Sequence, residues 1–263
     1  DSPLSSIQLA IDAAGDEDTV FVFSGTYVEN INFNGKNIHL VGEDLDSTII
    51  DGNQNGRVIS FTNGESQNAS ISNFIVRNGL GGIVVSNSSP QLKDLIISNN
   101  VASDHGGGLN IFNSNPTLTN VVVSKNSGCC GGGLNIDQSN VEITNCNIID
   151  NQAGSGMLVN GGSNVQITNS IIRNNIGDAE IYVNEGSESN VLTISHSNIL
   201  GGQESIFTNS NANIIWGDGN IDSNPLFCDS ENNDYSLDGN SSSLYAGNDD
   251  AYIGAYGFGC DRT

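Results

Sequence analysis

Basic residues are scarce in this sequence of 263 residues: seven Lys plus Arg stand against thirty Asp plus Glu, a formal net charge of -23 at pH 7. Such a chain repels phosphate backbones and acidic polysaccharides unless cations intervene, which argues against nucleic acid as a partner. No apolar run approaches the roughly eighteen residues that a spanning helix needs, so no transmembrane segment is expected. A signal peptide is not evident either. The sequence opens at Asp1 and enters a structural pattern almost at once, which reads as a processed or trimmed piece of a longer precursor. Long amphipathic helices are missing, apart from one short candidate near the N-terminus.

What is present suits many short strands joined by polar turns. There are 32 Gly and only 4 Pro, Asn and Ser recur throughout, and the apolar share of 36% is mostly aliphatic. Five cysteines fit an oxidising compartment, and the odd count leaves at least one thiol unpaired within the chain.

Self-similarity organises the sequence. Seven segments align on their starts: Val58-Ile59-Ser60-Phe61, Ile83-Val84-Val85-Ser86, Leu109-Asn110-Ile111-Phe112, Leu134-Asn135-Ile136-Asp137, Met157-Leu158-Val159-Asn160, Ile181-Tyr182-Val183-Asn184 and Ile206-Phe207-Thr208-Asn209. Their spacing of roughly 23 to 26 residues is that of a solenoid coil. The first and third residues of each start are mostly aliphatic, which by strand alternation puts them inside. A second motif follows later in the coil, as in Thr119-Asn120-Val121-Val122-Val123 and Thr168-Asn169-Ser170-Ile171-Ile172. Stacked coils would align Asn73, Asn120, Asn145 and Asn169 as one amide ladder, and Asn100, Asn126, Asn151 and Asn175 as another. The fold expected is an all-β, right-handed parallel β-helix of about eight coils.

One domain is expected over 1–263, with an N-terminal cap and first strands at 1–30, coils at 31–219 and a C-terminal cap at 220–263. Pro3 can occupy a first helical turn before Leu4, Ile7 and Ile11, which places an amphipathic helix over Leu4 to Ala14. Thr19 to Phe23 and Tyr27 to Phe33 read as the first strands. Beyond about Asn220 the period fails, and a disulfide between Cys228 and Cys260 is expected to tie this region, stabilising it by roughly 3 to 4 kcal/mol. Cys146 aligns with inward residues; it is either a buried thiol or bridged to Cys129 or Cys130.

The sequence resembles the extracellular right-handed β-helix repeat proteins of the pectate-lyase-like superfamily. The resemblance rests on Ile7 to Ala14, Asp18-Thr19-Val20, Gly25-Thr26-Tyr27, Thr48-Ile49-Ile50-Asp51-Gly52, the Gly-Gly-Gly-Leu-Asn-Ile coil starts, Asn220 to Phe227 and Ile253-Gly254-Ala255-Tyr256. It implies an extracellular or cell-surface location and a fold that hosts lyases, hydrolases, epimerases, adhesins and modules without chemistry.

A polysaccharide lyase in this superfamily uses Lys or Arg, and Arg77, Lys93, Lys125 and Arg173 fall at different coil positions with no recognisable pair. The polygalacturonase-like signature is incomplete: Asp249-Asp250 lies in the expected cap, Asp104-His105-Gly106 replaces Gly-His-Gly, and no Arg-x-Lys occurs. The catalytic candidates are His105 and Asp104, before a coil start, and Asp137. The outward face of the coil starts offers a binding strip of Phe61, Asn110, Phe112, Asn135, Asp137, Tyr182 and Phe207, mixing aromatic and amide groups. The acidic turns at Asp218, Asp222, Asp234, Asp238, Asp249 and Asp250 are candidates for Ca²⁺, a hard cation that takes oxygen ligands. The function expected is recognition or structure, binding a polysaccharide or a surface protein without catalysis. The alternatives are a cation-assisted polysaccharide lyase or related carbohydrate-active enzyme, and a self-assembling filament or surface-layer subunit.

Overall fold

The computed structural model describes residues 4–184, 188–208 and 212–261. They form a parallel β-solenoid whose turns present three faces. On the first, the coil-start strands Ile31–Asn32, Ile59–Phe61, Ile83–Ser86, Leu109–Phe112, Leu134–Asp137, Met157–Asn160, Ile181–Val183 and Ile206–Thr208 pair in chain order into one eight-stranded sheet. The second face follows a path of nine strands, from Thr19–Val22 to Asn213–Trp216, so the solenoid has about nine turns against the eight expected. Strands Ser70–Arg77, Gln91–Ser98 and Thr117–Ser124 run on through a bend into the third face.

Each corner is built from a pair of neighbouring residues. The first adopts the left-handed conformation that Asn and Asp tolerate; the second points inward and binds the coil beneath. Thus Asn99, Lys125, Asp150 and Asn174 have φ between 55° and 58°, and after them come Asn100, Asn126, Asn151 and Asn175. These last four form the second of the two expected ladders. The Asn126 carboxamide oxygen accepts from both the backbone N–H and the side-chain N–H of Asn100, each at 3.0 Å, while its own Nδ2 donates to the Ile97 carbonyl at 2.8 Å and to Asn151 at 3.1 Å. Asn151 repeats this arrangement with Asn175. The ladder ends on Glu180, whose carboxylate accepts from Asn175 Nδ2 at 2.6 Å and Asn175 N at 3.2 Å.

The first expected ladder does not form. Asn73, Asn120, Asn145 and Asn169 have φ of 64°, 56°, 52° and 50° and occupy the left-handed half of the corner, as does His196 at 48°. The inward role there falls to Cys146, Ser170 and Ser197: Cys146 N donates to Ser170 Oγ and Ser170 N to Ser197 Oγ, each at 3.1 Å. A third column, Ser88, Ser114, Ser139 and Ser163, repeats the device with Oγ accepting from the preceding serine's N–H. The buried Glu65 carboxylate accepts from Ser88 Oγ at 2.7 Å and so starts that column.

The helix is Ile7–Ala13, shorter than the expected span. Ser6 Oγ accepts from Leu9 N, the Glu29 carboxylate accepts from Ile7 N and Gln8 N, and Lys36 Nζ donates to the carbonyls of Ile11, Asp12 and Ala14. Both helix ends are thereby satisfied. Ile7 and Ile11 are buried against the first coil and Leu4 is exposed. Pro3 lies outside the described residues. The two expected first strands are three, Thr19–Val22, Gly25–Val28 and Ile31–Asn32.

The segment after residue 220 starts on the last coil, where Ile221 forms a parallel bridge with Asn198. It runs back along the third face, where Tyr235, Leu237, Leu244, Ile253 and Ala255 cover the outward Ile96, Val122, Ile149 and Ile171. Lys125 Nζ donates to the carbonyls of Ser230 and Glu231, and Ala255 N donates to Asn147 Oδ1 at 3.1 Å. Cys228 and Cys260 form the expected disulfide within this segment. Cys146 is buried and free, its thiol pushed up to about 12 by burial, and it does not bridge to Cys129 or Cys130.

Two predictions follow from the ladder. Asn126→Ala strands the buried Asn100 N–H groups and the Ile97 carbonyl, and should cost about 3 kcal/mol in urea unfolding. Asn120→Gly, which keeps the left-handed corner, should cost under about 1 kcal/mol; equal costs would deny the two positions different roles. Burial raises the pKa of Glu180 above the ordinary 4.5, so the folded chain holds that proton more tightly than the unfolded one. Its contribution is complete below 4.5 and is lost as pH climbs through the window between 4.5 and the raised folded value. Glu180→Gln should therefore gain melting temperature relative to wild type as pH rises from about 4 to about 7, and a difference that stays constant over that range would contradict it.

Candidate functional site

Strand register decides which coil-start residues face outward. Asn32, Ser60, Val84, Asn110, Asn135, Leu158, Tyr182 and Phe207 pair in sequence as one outward column, with Ser86, Phe112, Asp137 and Asn160 in a second. The coil containing Phe61 thus starts at Ile59, one residue later than the sequence alignment assumed. A one-residue slip turns every side chain to the other face, so Phe61 is fully buried against Phe33, with ring centroids 4.1 Å apart, and cannot contact a ligand. Asn135 faces outward but is also buried, and its Nδ2 donates to Asn110 Oδ1 at 2.9 Å.

The aromatic surface of the strip gathers at its C-terminal end. Tyr182 and Phe207 meet edge to face with centroids 5.0 Å apart, and Phe207 is 53% exposed. Beside Tyr182 a cavity of about 150 Å³ is lined by Leu158, Asn184, Asp178 and the loop Cys129-Cys130-Gly131. Farther along the second outward column, Asp137, Asn160 and Glu188 line an open polar groove of about 490 Å³. Phe112, 39% exposed, neighbours Asp137 in the sheet.

His105 and Asp104 stand in the loop stacked on Cys129-Cys130, yet they line neither of these hollows. Asp104 is engaged by Arg57, whose guanidinium donates to Asp104 Oδ1 at 2.7 Å and to the carbonyls of His105 and Gly106 at 2.8 and 2.7 Å. Arg57 was not singled out in the sequence because its partners lie two coils away. His105, Asp104 and Asp137 therefore do not share one cavity.

The other basic residues have structural partners. Arg77 pairs with Asp51, Arg173 with Asp222, Lys36 closes the helix and Lys125 holds the C-terminal segment. Lys93 lies on the second face, paired in register with Ser72 and Thr119. Among the described residues no Lys or Arg lines the hollows beside Tyr182 and Asp137.

The six aspartates considered for Ca²⁺ are dispersed, Asp234 and Asp238 at the two ends of one strand and the others in turns and loops. Asp222 accepts from Arg173 and Gly201 N, Asp238 from Asn240, and Asp234 from Ser236. The Asp218 carbonyl accepts from His196 N, and Asp249 and Asp250 occupy left-handed turn positions. Among the described residues, no three His, Cys, Asp or Glu side chains converge so as to hold a metal ion. No described helix is long and apolar enough to cross a membrane.

Comparison with known proteins agrees with this architecture. Solved structures similar to the chain include a pectin methylesterase from carrot, at 13% identity and TM-score 0.57, covering 83% of this chain and 79% of that one. A pectin methylesterase from Yersinia enterocolitica is similar at 14% identity and TM-score 0.53, covering 79% of this chain and 82% of that one. A third pectin methylesterase, solved with a hexasaccharide, gives 13% identity and TM-score 0.52 over 78% of this chain and 76% of that one. At these identities the likeness is one of fold. No curated protein matches the sequence. The model of the right handed beta helix region matches residues 37–192, more than half of the sequence, and the chain belongs to that family of right-handed parallel β-helices.

Proposed function

We propose that the protein is an extracellular or cell-surface carbohydrate-binding module without catalysis of its own, and that the glycan lies along the coil-start face with a sugar ring packed on Tyr182 and Phe207. The observation that carries this reading is the edge-to-face aromatic pair on the outward face of the sheet, with Phe207 exposed and Tyr182 partly exposed, and with the amide of Asn184 beside Tyr182. Aromatic rings supply apolar area to the C–H face of a sugar, and fixed amides meet its hydroxyls. The fold shared with pectin methylesterases supports a glycan over a protein ligand. The net charge of -23 favours a neutral glycan over a polyuronate. A lyase needs a cation to neutralise the uronate carboxylate, and the structural engagement of Arg57, Arg77, Arg173, Lys36 and Lys125 weighs against one.

The test is a binding screen by affinity electrophoresis against neutral and uronate-containing polysaccharides, with calcium, while absorbance from new unsaturated ends is followed. Retardation by a neutral polysaccharide that falls at least about tenfold in Tyr182→Ala, with an unchanged melting temperature, is expected. New unsaturated ends, or binding indifferent to Tyr182 and Phe207, would contradict the reading.

A further inference from the structure

The mass balance of cysteines leaves a pair that the fold does not use. Cys228 and Cys260 are joined and Cys146 is sealed in the core, so Cys129 and Cys130 remain, adjacent in sequence, with their sulfurs 3.0 Å apart. Their backbone is held from the neighbouring coil. Cys129 N donates to the Asp104 carbonyl and Gly106 N to the Cys130 carbonyl, each at 3.1 Å, and Cys130 forms a parallel bridge with His105. Gly154 closes the other side, because a Cβ at that position would stand 3.0 Å from the Cys129 carbonyl oxygen. The two thiols thus face one another on a fixed loop at the wall of the cavity beside Tyr182 and Leu158.

We propose that Cys129 and Cys130 are a redox site: an external disulfide oxidises them to a vicinal disulfide, which closes a ring at the wall of the Tyr182 cavity. Two thiols lose two electrons and two protons, and the oxidant, a low-molecular-weight disulfide, is reduced to two thiols. Cys129 is the more exposed of the pair and makes the first attack, forming a mixed disulfide and releasing one thiol. The Cys130 thiol is pushed up to about 11, chiefly by its hydrogen bond with Cys129 and then by burial and the negative charge of Asp178. Once Cys129 is in the mixed disulfide that hydrogen bond is gone, and Cys130 sulfur displaces the second thiol to close the ring. Consecutive Cα atoms across a trans peptide lie about 3.8 Å apart, shorter than the span of about 4.4 to 6.8 Å at which disulfides are relaxed. The ring therefore reopens more readily than the bond between Cys228 and Cys260, whose Cα atoms are 6.0 Å apart. Oxidation replaces two S–H groups by an apolar S–S edge facing Leu158, so the cavity wall differs between the two states. This inference stands on the cysteine geometry and does not depend on the glycan reading.

The experiment uses the whole protein. After incubation with oxidised glutathione, free thiols are alkylated in denaturant, and cleavage after Glu142 separates Cys129 and Cys130 from Cys146. The peptide holding Cys129 and Cys130 should carry no alkyl group and weigh two hydrogens less than its fully reduced form. In titration with reduced and oxidised glutathione, that ring should open at a lower ratio of thiol to disulfide than the bond between Cys228 and Cys260. Alkylation of both cysteines, separate glutathione adducts on each, a cross-link to the peptide of Cys146, or opening no earlier than the other disulfide would each overturn the proposal.

Discussion

Everything in this molecule depends on turning the chain three times per coil without leaving a buried backbone N–H unpaired. The corners solve this with a residue pair, one left-handed and one inward, the inward side chain accepting from the backbone of the coil before it. Asn99 with Asn100, Asn113 with Ser114 and Asn169 with Ser170 are the same device in three corners. Burying such polar groups is tolerable only because each finds its partner. The interior between the corners is then free to be a continuous stack of Ile, Val and Leu. Where a column runs out, a carboxyl or amide side chain terminates it: Glu65 at one end of the serine column, Glu180 at the end of the asparagine ladder and Asn190 beneath Ser163.

The coil period, the inward aliphatics and the Asn100 to Asn175 ladder were legible because each repeats at fixed spacing. The confusion between the Asn73 and Asn100 columns has a physical cause: asparagine serves both as a left-handed corner residue and as an inward ladder member, and composition cannot separate those roles. Register at Phe61 was misplaced because Val58 and Ile59 are both aliphatic and both buried, so alternation gave no unique phase. The cover that the C-terminal segment forms over the third face has a signal in the sequence. Ile96-Ile97, Val122-Val123 and Ile171-Ile172 are apolar at successive positions, which means that both faces of those strands are covered. Long-range pairings such as Arg57 with Asp104 and Lys125 with Asn233 carry no local pattern and become visible only in the fold.

The same construction governs where chemistry can reside. The third face is sealed by residues 220–261, whereas the coil-start face stays open and flat, with stacked loops along one side. Those loops are hydrogen-bonded to one another coil by coil, as Cys129 N is to the Asp104 carbonyl and Gly106 N to the Cys130 carbonyl beside the Tyr182 cavity. The contents of that cavity and of the Asp137 groove are aromatic, amide, thiol and carboxylate, while the described cations other than Lys93 are spent on holding the scaffold. That division of labour is the basis for reading the face as a recognition surface.

Native-state hydrogen exchange addresses the central claim most directly, because it reports the backbone N–H groups that the corners are said to satisfy. The amides of Asn100, Asn126 and Asn151, together with Ser114, Ser139 and Ser170, should exchange only when the whole solenoid unfolds, with protection matching the global unfolding free energy. Exchange of these corner amides at the rates of exposed turns, while the strands between them stayed protected, would contradict the account.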